Sequence, residues 1–364
     1  MKKISVSEAK DSMVLGRDVV SLDKTKVLLA RGAELDEVKI ILLKREGIET
    51  IYIRSDEEIG HYASGEDAVA FSFDVAEEST QAKKMTAEEK SIRLDEIVTD
   101  MLEDCRNGKR LDRGQLSIAV DILMEEVSDG SNLFGLLRRE DNINRYLINH
   151  SINVAIISIA LSKWLRYSKV DQRNIALAGL LHDVGKVKIS NIILDKPGKL
   201  TPSEFEIMKK HTTYGYNILK DTIGIGKSVL YGVLQHHERE DGSGYPLRLK
   251  GNQIHEYGKI IAISDVYDAM TTTKIYKQKE NPFSVQEEIQ REAFSRLDPG
   301  MTYVFLKNVS KLYIGKKALL SNGEQGEIVY INPSTPTKPV IRVREDYYVD
   351  LGVKKDITVK EMID

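Results

Sequence analysis

Residues 175–186 read Ile175-Ala176-Leu177-Ala178-Gly179-Leu180-Leu181-His182-Asp183-Val184-Gly185-Lys186, and the fold turns on them. The first seven positions are apolar, which predicts a helix facing the interior along this stretch. A histidine and an aspartate then close that helix. A buried pair of this kind is either a satisfied polar contact or half of something larger, because polar groups do not stay buried without partners. Imidazole and carboxylate are the donors a borderline or hard divalent cation prefers, and one carboxylate can bridge two ions through its separate oxygens.

Working outward, His150 lies on an almost wholly apolar predicted helix, residues 143–165, and Asp265 lies within Ile260-Ile261-Ala262-Ile263-Ser264-Asp265-Val266. A carboxylate buried alone would be driven neutral, so a cation is expected beside it. Six of the seven histidines fall between positions 150 and 255. His61, in a polar stretch, and His255, just before a predicted helix, read as surface residues without a role.

Three more histidines extend the cluster. His211 follows a helix start at Thr201-Pro202-Ser203-Glu204, which supplies an N-cap, a proline at the first helical position and a capping-box glutamate. Gly215, four residues on, shares its face and leaves room for close approach. His236-His237 end a predicted helix from Ser228, and Glu238-Arg239-Glu240-Asp241-Gly242-Ser243-Gly244-Tyr245-Pro246 then specify a tight loop.

The order His…His-Asp…Asp on separate helices is similar to that of the HD phosphohydrolase superfamily. Four motifs narrow it: His182-Asp183-Val184-Gly185-Lys186, His211-x-x-x-Gly215, His236-His237-Glu238-x-x-Asp241-Gly242-x-Gly244-Tyr245-Pro246 and Asp265-x-x-Asp268-Ala269. Over residues 130 to 290 they resemble, in order and spacing, the HD-GYP phosphodiesterases. The resemblance implies an all-helical HD core, two divalent ions, iron or manganese, and hydrolysis of cyclic di-GMP to pGpG or GMP. It also implies that His150, His182 and Asp265 hold one ion, that His211, His236 and His237 hold the other, and that Asp183 bridges. Lys186 would then meet a substrate phosphate, with Gly244, Tyr245 and Pro246 at the guanine or phosphate edge.

Two cations about 3.5–4 Å apart can hold a bridging hydroxide at neutral pH and aim it at phosphorus, so no side-chain nucleophile is required. Asp183, Lys186 and Asp268 are the candidate catalytic groups. Asp268, one turn after Asp265, either orients a ligand or exchanges a proton with the leaving oxygen. Two departures from the family pattern stand out. Tyr146 occupies a position, four before His150, that is acidic in relatives with a third metal, which favours two ions here. Where many members carry Arg-Pro-x-Arg or Arg-Pro-x-Lys, this chain has Lys274-Ile275-Tyr276-Lys277. Lys274 and Lys277 keep the charge for substrate binding without the guanidinium fork, unless they are simply a solvated basic helix end.

The rest of the chain bounds this reading. Its 364 residues are 41% hydrophobic and 30% charged, a composition that builds a packed core, and a formal net charge of −3 argues against a nucleic-acid polymer as partner. The lone Cys105 excludes an internal disulfide or a C-x-x-C zinc site. No signal-like start or membrane-length apolar run is read, so a cytoplasmic protein is expected. The expected class is mainly α: a small α+β or β module (1–58), an acidic linker (59–90), a helical catalytic domain (91–310) and a small β module (311–364). The terminal modules are candidates for homodimer or signalling-protein contacts. Two other readings of the function remain: a non-catalytic cyclic di-GMP sensor, or an HD-class phosphohydrolase acting on another nucleotide.

Overall fold

The helices of the central region begin largely where the sequence supplies a cap. Thr86 and Glu89 form a capping box at α1 (Ala87–Arg106), and Asp112 accepts two main-chain amides at α2 (Arg113–Glu126). After α3 (Tyr146–Trp164), Ser168 caps α4 (Lys169–Leu181), and Thr201 with Glu204 forms a second box at α5 (Pro202–Met208). Next come α6 (His211–Leu219), α7 (Lys227–Gln235) and α8 (Glu256–Thr271). Asn281-Pro282 and Asp298-Pro299 pair a capping side chain with a proline at the starts of α9 (Pro282–Glu292) and α10 (Pro299–Lys311).

The computed structural model describes residues 2–10, 85–127, 132–138, 145–271, 281–293 and 295–363, with scattered positions between 13 and 53. Helix α1 starts inside the stretch 59–90 expected as linker. Its Thr86-x-x-Glu89 box is what starts it, hidden in an acidic run when the sequence is read by composition.

Helix α3 is the axis of the core. Every residue from Asn149 to Ser162 is buried, so the helix needs polar partners inside the protein as well as apolar ones. Ser158 donates to the Ser264 hydroxyl at 2.9 Å, which in turn donates to the Ile260 carbonyl at 3.0 Å, tying α3 to α8. Helices α4, α7 and α8 join the same core through Leu177, Leu180, Val229, Val233, Ile260 and Ile263.

At the amino end, strands β1 (Lys2–Ser5), β2 (Val19–Val20), β3 (Val27–Leu29) and β4 (Thr50–Ile53) form two antiparallel pairs, β1 with β4 and β2 with β3. Residues 35–45, whose sequence has a helical pattern, lie mostly outside the described residues, as does His61. At the carboxyl end, β5 (Lys317–Leu320), β6 (Gln325–Ile331), β7 (Pro339–Arg344), β8 (Tyr347–Asp350) and β9 (Val359–Ile363) make one antiparallel sheet in the order β8-β7-β6-β5-β9. Phe283 of α9 is part of that sheet's core, beside Ala318, Ile328, Ile341 and Val359. Tyr313 joins the two layers, its ring 5.2 Å from Phe283 and 4.5 Å from Phe134. Among the described residues no helix is long and apolar enough to cross a membrane.

Candidate active site

Helix ends build the site. His182 caps the end of α4, His236 caps the end of α7, and His211 is the first residue of α6. In each case Nδ1 lies against the carbonyl three residues earlier: Gly179 at 2.8 Å, Met208 at 2.7 Å and Val233 at 2.8 Å. A carbonyl only accepts, so each Nδ1 carries the proton and each Nε2 presents a bare lone pair. The carbonyls available where a helix ends thus fix three tautomers at once.

Two helices can bring these histidines together only because glycines let main chains touch. A Cβ on Gly185 would lie 1.9 Å from the His211 carbonyl oxygen and 2.4 Å from Gly215 N. The turn after His182-Asp183 therefore sits directly on the first turn of α6.

Three imidazoles converge on Asp183. Its Oδ2 lies 3.3 Å from His182 Nε2 and 3.6 Å from His150 Nε2, while Oδ1 lies 3.4 Å from His211 Nε2. His211 Nε2 is 3.3 Å from His236 Nε2, and the potential donors His211, His236 and His237 form one compact group and His150, His182 and Asp183 another. Asp265 spans them, with Oδ1 3.2 Å from His150 Nε2 and Oδ2 3.9 Å from His237 Nδ1.

Two atoms at the centre are orphans. His182 Nε2 and Asp183 Oδ1 are buried without a hydrogen-bond partner. A buried acceptor lone pair and a buried carboxylate oxygen in one cluster are what a cation would satisfy.

The electrostatics agree with that chemistry. Burial pushes His236 and His237 well below the usual imidazole range and His211 down to about 4, so all three are neutral donors at pH 7. Burial alone would raise Asp183, yet Lys186, His182 and His211 outweigh it and hold the carboxyl well below its usual range. His150 is opposite in sense: burial disfavours its charge, but hydrogen bonds with Asp265 and Asp268 push it up to about 10. Within the protein the carboxylates thus face two cations, the His150 imidazolium and the Lys186 ammonium.

Asp268 is 1% exposed, with Oδ2 2.7 Å from His150 Nδ1 and Oδ1 accepting from Asn153 Nδ2 at 2.9 Å. Asn153 is in turn clasped by the Arg138 main chain at 2.8 and 3.1 Å. Of the two roles considered for Asp268, ligand orientation fits, whereas proton exchange with a substrate does not: both oxygens are engaged behind the imidazole. Asn153 and its clasp were not foreseen.

The expected substrate residues divide. Lys186 Nζ lies 2.5 Å from Asp183 Oδ2, so it faces the carboxylate rather than open space. Tyr245 lies over His237, ring centroids 4.7 Å apart and 30° between planes, and Pro246 follows through a cis peptide bond. Gly244 lines the cleft beside Tyr245 and also admits its own main chain: a Cβ there would lie 2.5 Å from Arg239 N and from the His237 carbonyl oxygen. Lys274 and Lys277 lie outside the described residues.

Glu238, unremarked in the sequence beyond its motif, pins the loop. It is 2% exposed and accepts from Leu247 N at 2.6 Å and Leu249 N at 3.0 Å. Tyr146, in the position that favoured two ions, stacks on His150 at 5.5 Å with planes 6° apart. His255 is not a plain surface residue: it is partly buried, and its Nδ1 accepts from Tyr257 N at 3.1 Å at the start of α8.

Residues 135–301 match the family model described as HD domain. The central region is an HD domain of the HD-GYP family. The HD-GYP domain has curated relatives that share its sequence over part of their length. A cyclic di-GMP phosphodiesterase of Pseudomonas aeruginosa is 34% identical over 248 residues, covering 68% of this chain and 59% of that protein. A cyclic di-GMP phosphodiesterase of Thermotoga maritima is 40% identical over 165 residues, 43% of each chain. A 3'3'-cGAMP-specific phosphodiesterase of Vibrio cholerae is 36% identical over 163 residues, 44% of this chain and 31% of that one. The chain therefore spans less than two thirds of the length of each of these relatives.

Proposed function

We propose that the protein is a metal-dependent phosphodiesterase of cyclic dinucleotides, with cyclic di-GMP as substrate and pGpG or GMP as product. One observation carries the reading: Asp183 turns one oxygen towards His150 and His182 and the other towards His211. A carboxylate so placed between two donor groups suits a pair of ions better than a single one.

His150, His182 and Asp265 would hold one divalent ion and His211, His236 and His237 the other, with Asp183 shared. Iron or manganese, when bound, would supply Lewis acidity to the phosphodiester and acidify water at neutral pH. Asp268 and the three helix-end carbonyls orient the imidazoles. Lys186, beside Asp183, would meet a substrate phosphate, and Tyr245 walls the site beside His237. A purely sensory role is less well supported, because a binder without chemistry has no use for seven convergent donors. The flanking modules are the places for a second copy or a signalling partner.

Elemental analysis of anaerobically purified protein, with chromatography of its cyclic di-GMP digest, tests this reading. About two ions per chain and a linear product are expected. No metal after reconstitution, or intact cyclic di-GMP with metal bound, would remove it. Asp183→Ala should abolish turnover while the thermal melt stays cooperative; near-normal turnover would mean that the cluster is structural.

A further inference from the structure

Beside His237 and Tyr245 lies a cavity of about 380 Å³, lined by the loop after α7 and by the end of α5. Two of its walls are aromatic. Phe205 and Tyr245 stand 6.3 Å apart at 85°, and Lys209 Nζ lies 5.4 and 5.8 Å from their ring centres. The other charged lining residues are Arg239, Arg248 and Arg296, and among the described residues no carboxylate lines the cavity.

Three of these four cations are already engaged. Arg239 donates to the His236 and Glu238 carbonyls, Arg296 lies 3.4 Å from Glu292, and Lys209 lies 2.6 Å from Glu206. Arg248 has no side-chain hydrogen bond or ion pair with the described residues. Its backbone, moreover, has φ 55, a left-handed conformation that glycine adopts without steric cost and arginine does not. A strained residue with an unused guanidinium at the edge of a cavity calls for a ligand.

We propose that this cavity is a purine pocket of the active site and that Arg248 selects guanine over adenine within it. The proposal rests on the cyclic dinucleotide reading, since a substrate with one phosphate beside His237 has a base close by. Flat aromatic walls and this volume suit a base, whereas a phosphate would call for several unengaged donors. The Hoogsteen edge of guanine presents two acceptors, O6 and N7, to a guanidinium fork that only donates. Adenine offers N7 beside an amino donor, which meets the same fork with one repulsive contact. Arg248 is thus the specificity-determining residue between cyclic di-GMP and its adenine-containing analogues.

Calorimetric titration of the metal-loaded protein with GMP and with AMP tests the pocket, alongside the ratio of kcat/KM for cyclic di-GMP to that for 3'3'-cGAMP. The unmodified protein should favour guanine in both. Arg248→Gly, which relieves the left-handed backbone, should reduce both preferences about tenfold, and Arg248→Lys should reduce them as well because it keeps charge without the fork. Ratios within one variant cancel any general loss of activity. No guanine preference in the unmodified protein, unchanged ratios in Arg248→Gly, or equal weakening of GMP and AMP, as a phosphate contact would give, each overturns the proposal. If no dinucleotide is hydrolysed but GMP binds better than AMP and Arg248→Gly erases the difference, the pocket stands and the substrate reading falls.

Discussion

Gly185 and the carbonyl of His211 touch so closely that a single methyl group would fall 1.9 Å from the oxygen. That contact joins the element carrying His182 and Asp183 to the one carrying His211. Gly185→Ala meets only main chain and cannot be relieved by a rotamer, so it should destabilise by about 2–3 kcal/mol and weaken metal retention. Gly215→Ala meets the Val233 methyl at 3.0 Å and Gly185 N at 3.5 Å, a milder conflict. Thermal melts and metal content should rank Gly185→Ala as the more damaged; the reverse order would deny that this approach assembles the site.

Asp268→Asn preserves shape and removes the charge behind His150. It should lower divalent-metal affinity about 10–100-fold, and it should also lower the melt of the apo protein, because the buried His150 imidazolium loses a carboxylate partner. Titration against a competing chelator measures this directly. Full metal affinity with a fall in kcat alone would mean that Asp268 acts on the substrate after all.

Glu238→Gln places an amide donor where Leu247 N and Leu249 N both donate. One of these N–H groups then loses its bond to the buried side chain, at a cost of about 1–3 kcal/mol. Because the loop so released carries Tyr245, KM for cyclic di-GMP should rise more than kcat falls. Steady-state kinetics with a denaturation curve separate the two effects, and a variant as stable as the parent would show that the loop is held elsewhere.

Burial lowers His255 to about 4, from the ordinary imidazole value of 6.5. Between those values the unfolded chain binds more protons than the folded one, so the contribution is complete above pH 6.5 and is lost as pH falls towards 4. His255→Asn keeps an acceptor for Tyr257 N but cannot titrate. It should be about as stable as the parent at pH 7 and lose roughly 2 kcal/mol less on acidification. Parallel denaturation curves at pH 7 and pH 5 check this; identical acid losses would place the titration elsewhere.

Much of the site was legible because potential metal donors announce themselves by type. His150, His182, Asp183, His211, His236, His237 and Asp265 stand at helix ends or on apolar helices, where a polar residue needs a reason. What supports them was less visible. Asn153 looks like any polar residue on α3 until Asp268 is seen beside it, and Glu238 is one carboxylate in an acidic run until two amides point at it. Gly244 read as a ligand contact because its motif carries function, but the motif did not display that its missing side chain also admits its own main chain. In the fold, β9 went unread because Val359-Lys360-Glu361-Met362-Ile363 pairs only with β5 at the sheet edge and needs little apolar alternation. Arg248 gave no signal at all, since sequence does not display a positive φ.

Phe283 has a further consequence, for how such a chain can be recombined. Because this ring belongs to a helix of one unit and fills the interior of the other, the carboxyl-terminal sheet is not a bead on a string that can be exchanged at its junction. A chimera ending the native sequence after Lys311 and continuing with a foreign β domain would leave a phenylalanine facing water unless the newcomer offered a socket of the same size. Grafts at this boundary therefore have to match a shape, and not merely the length of a connection.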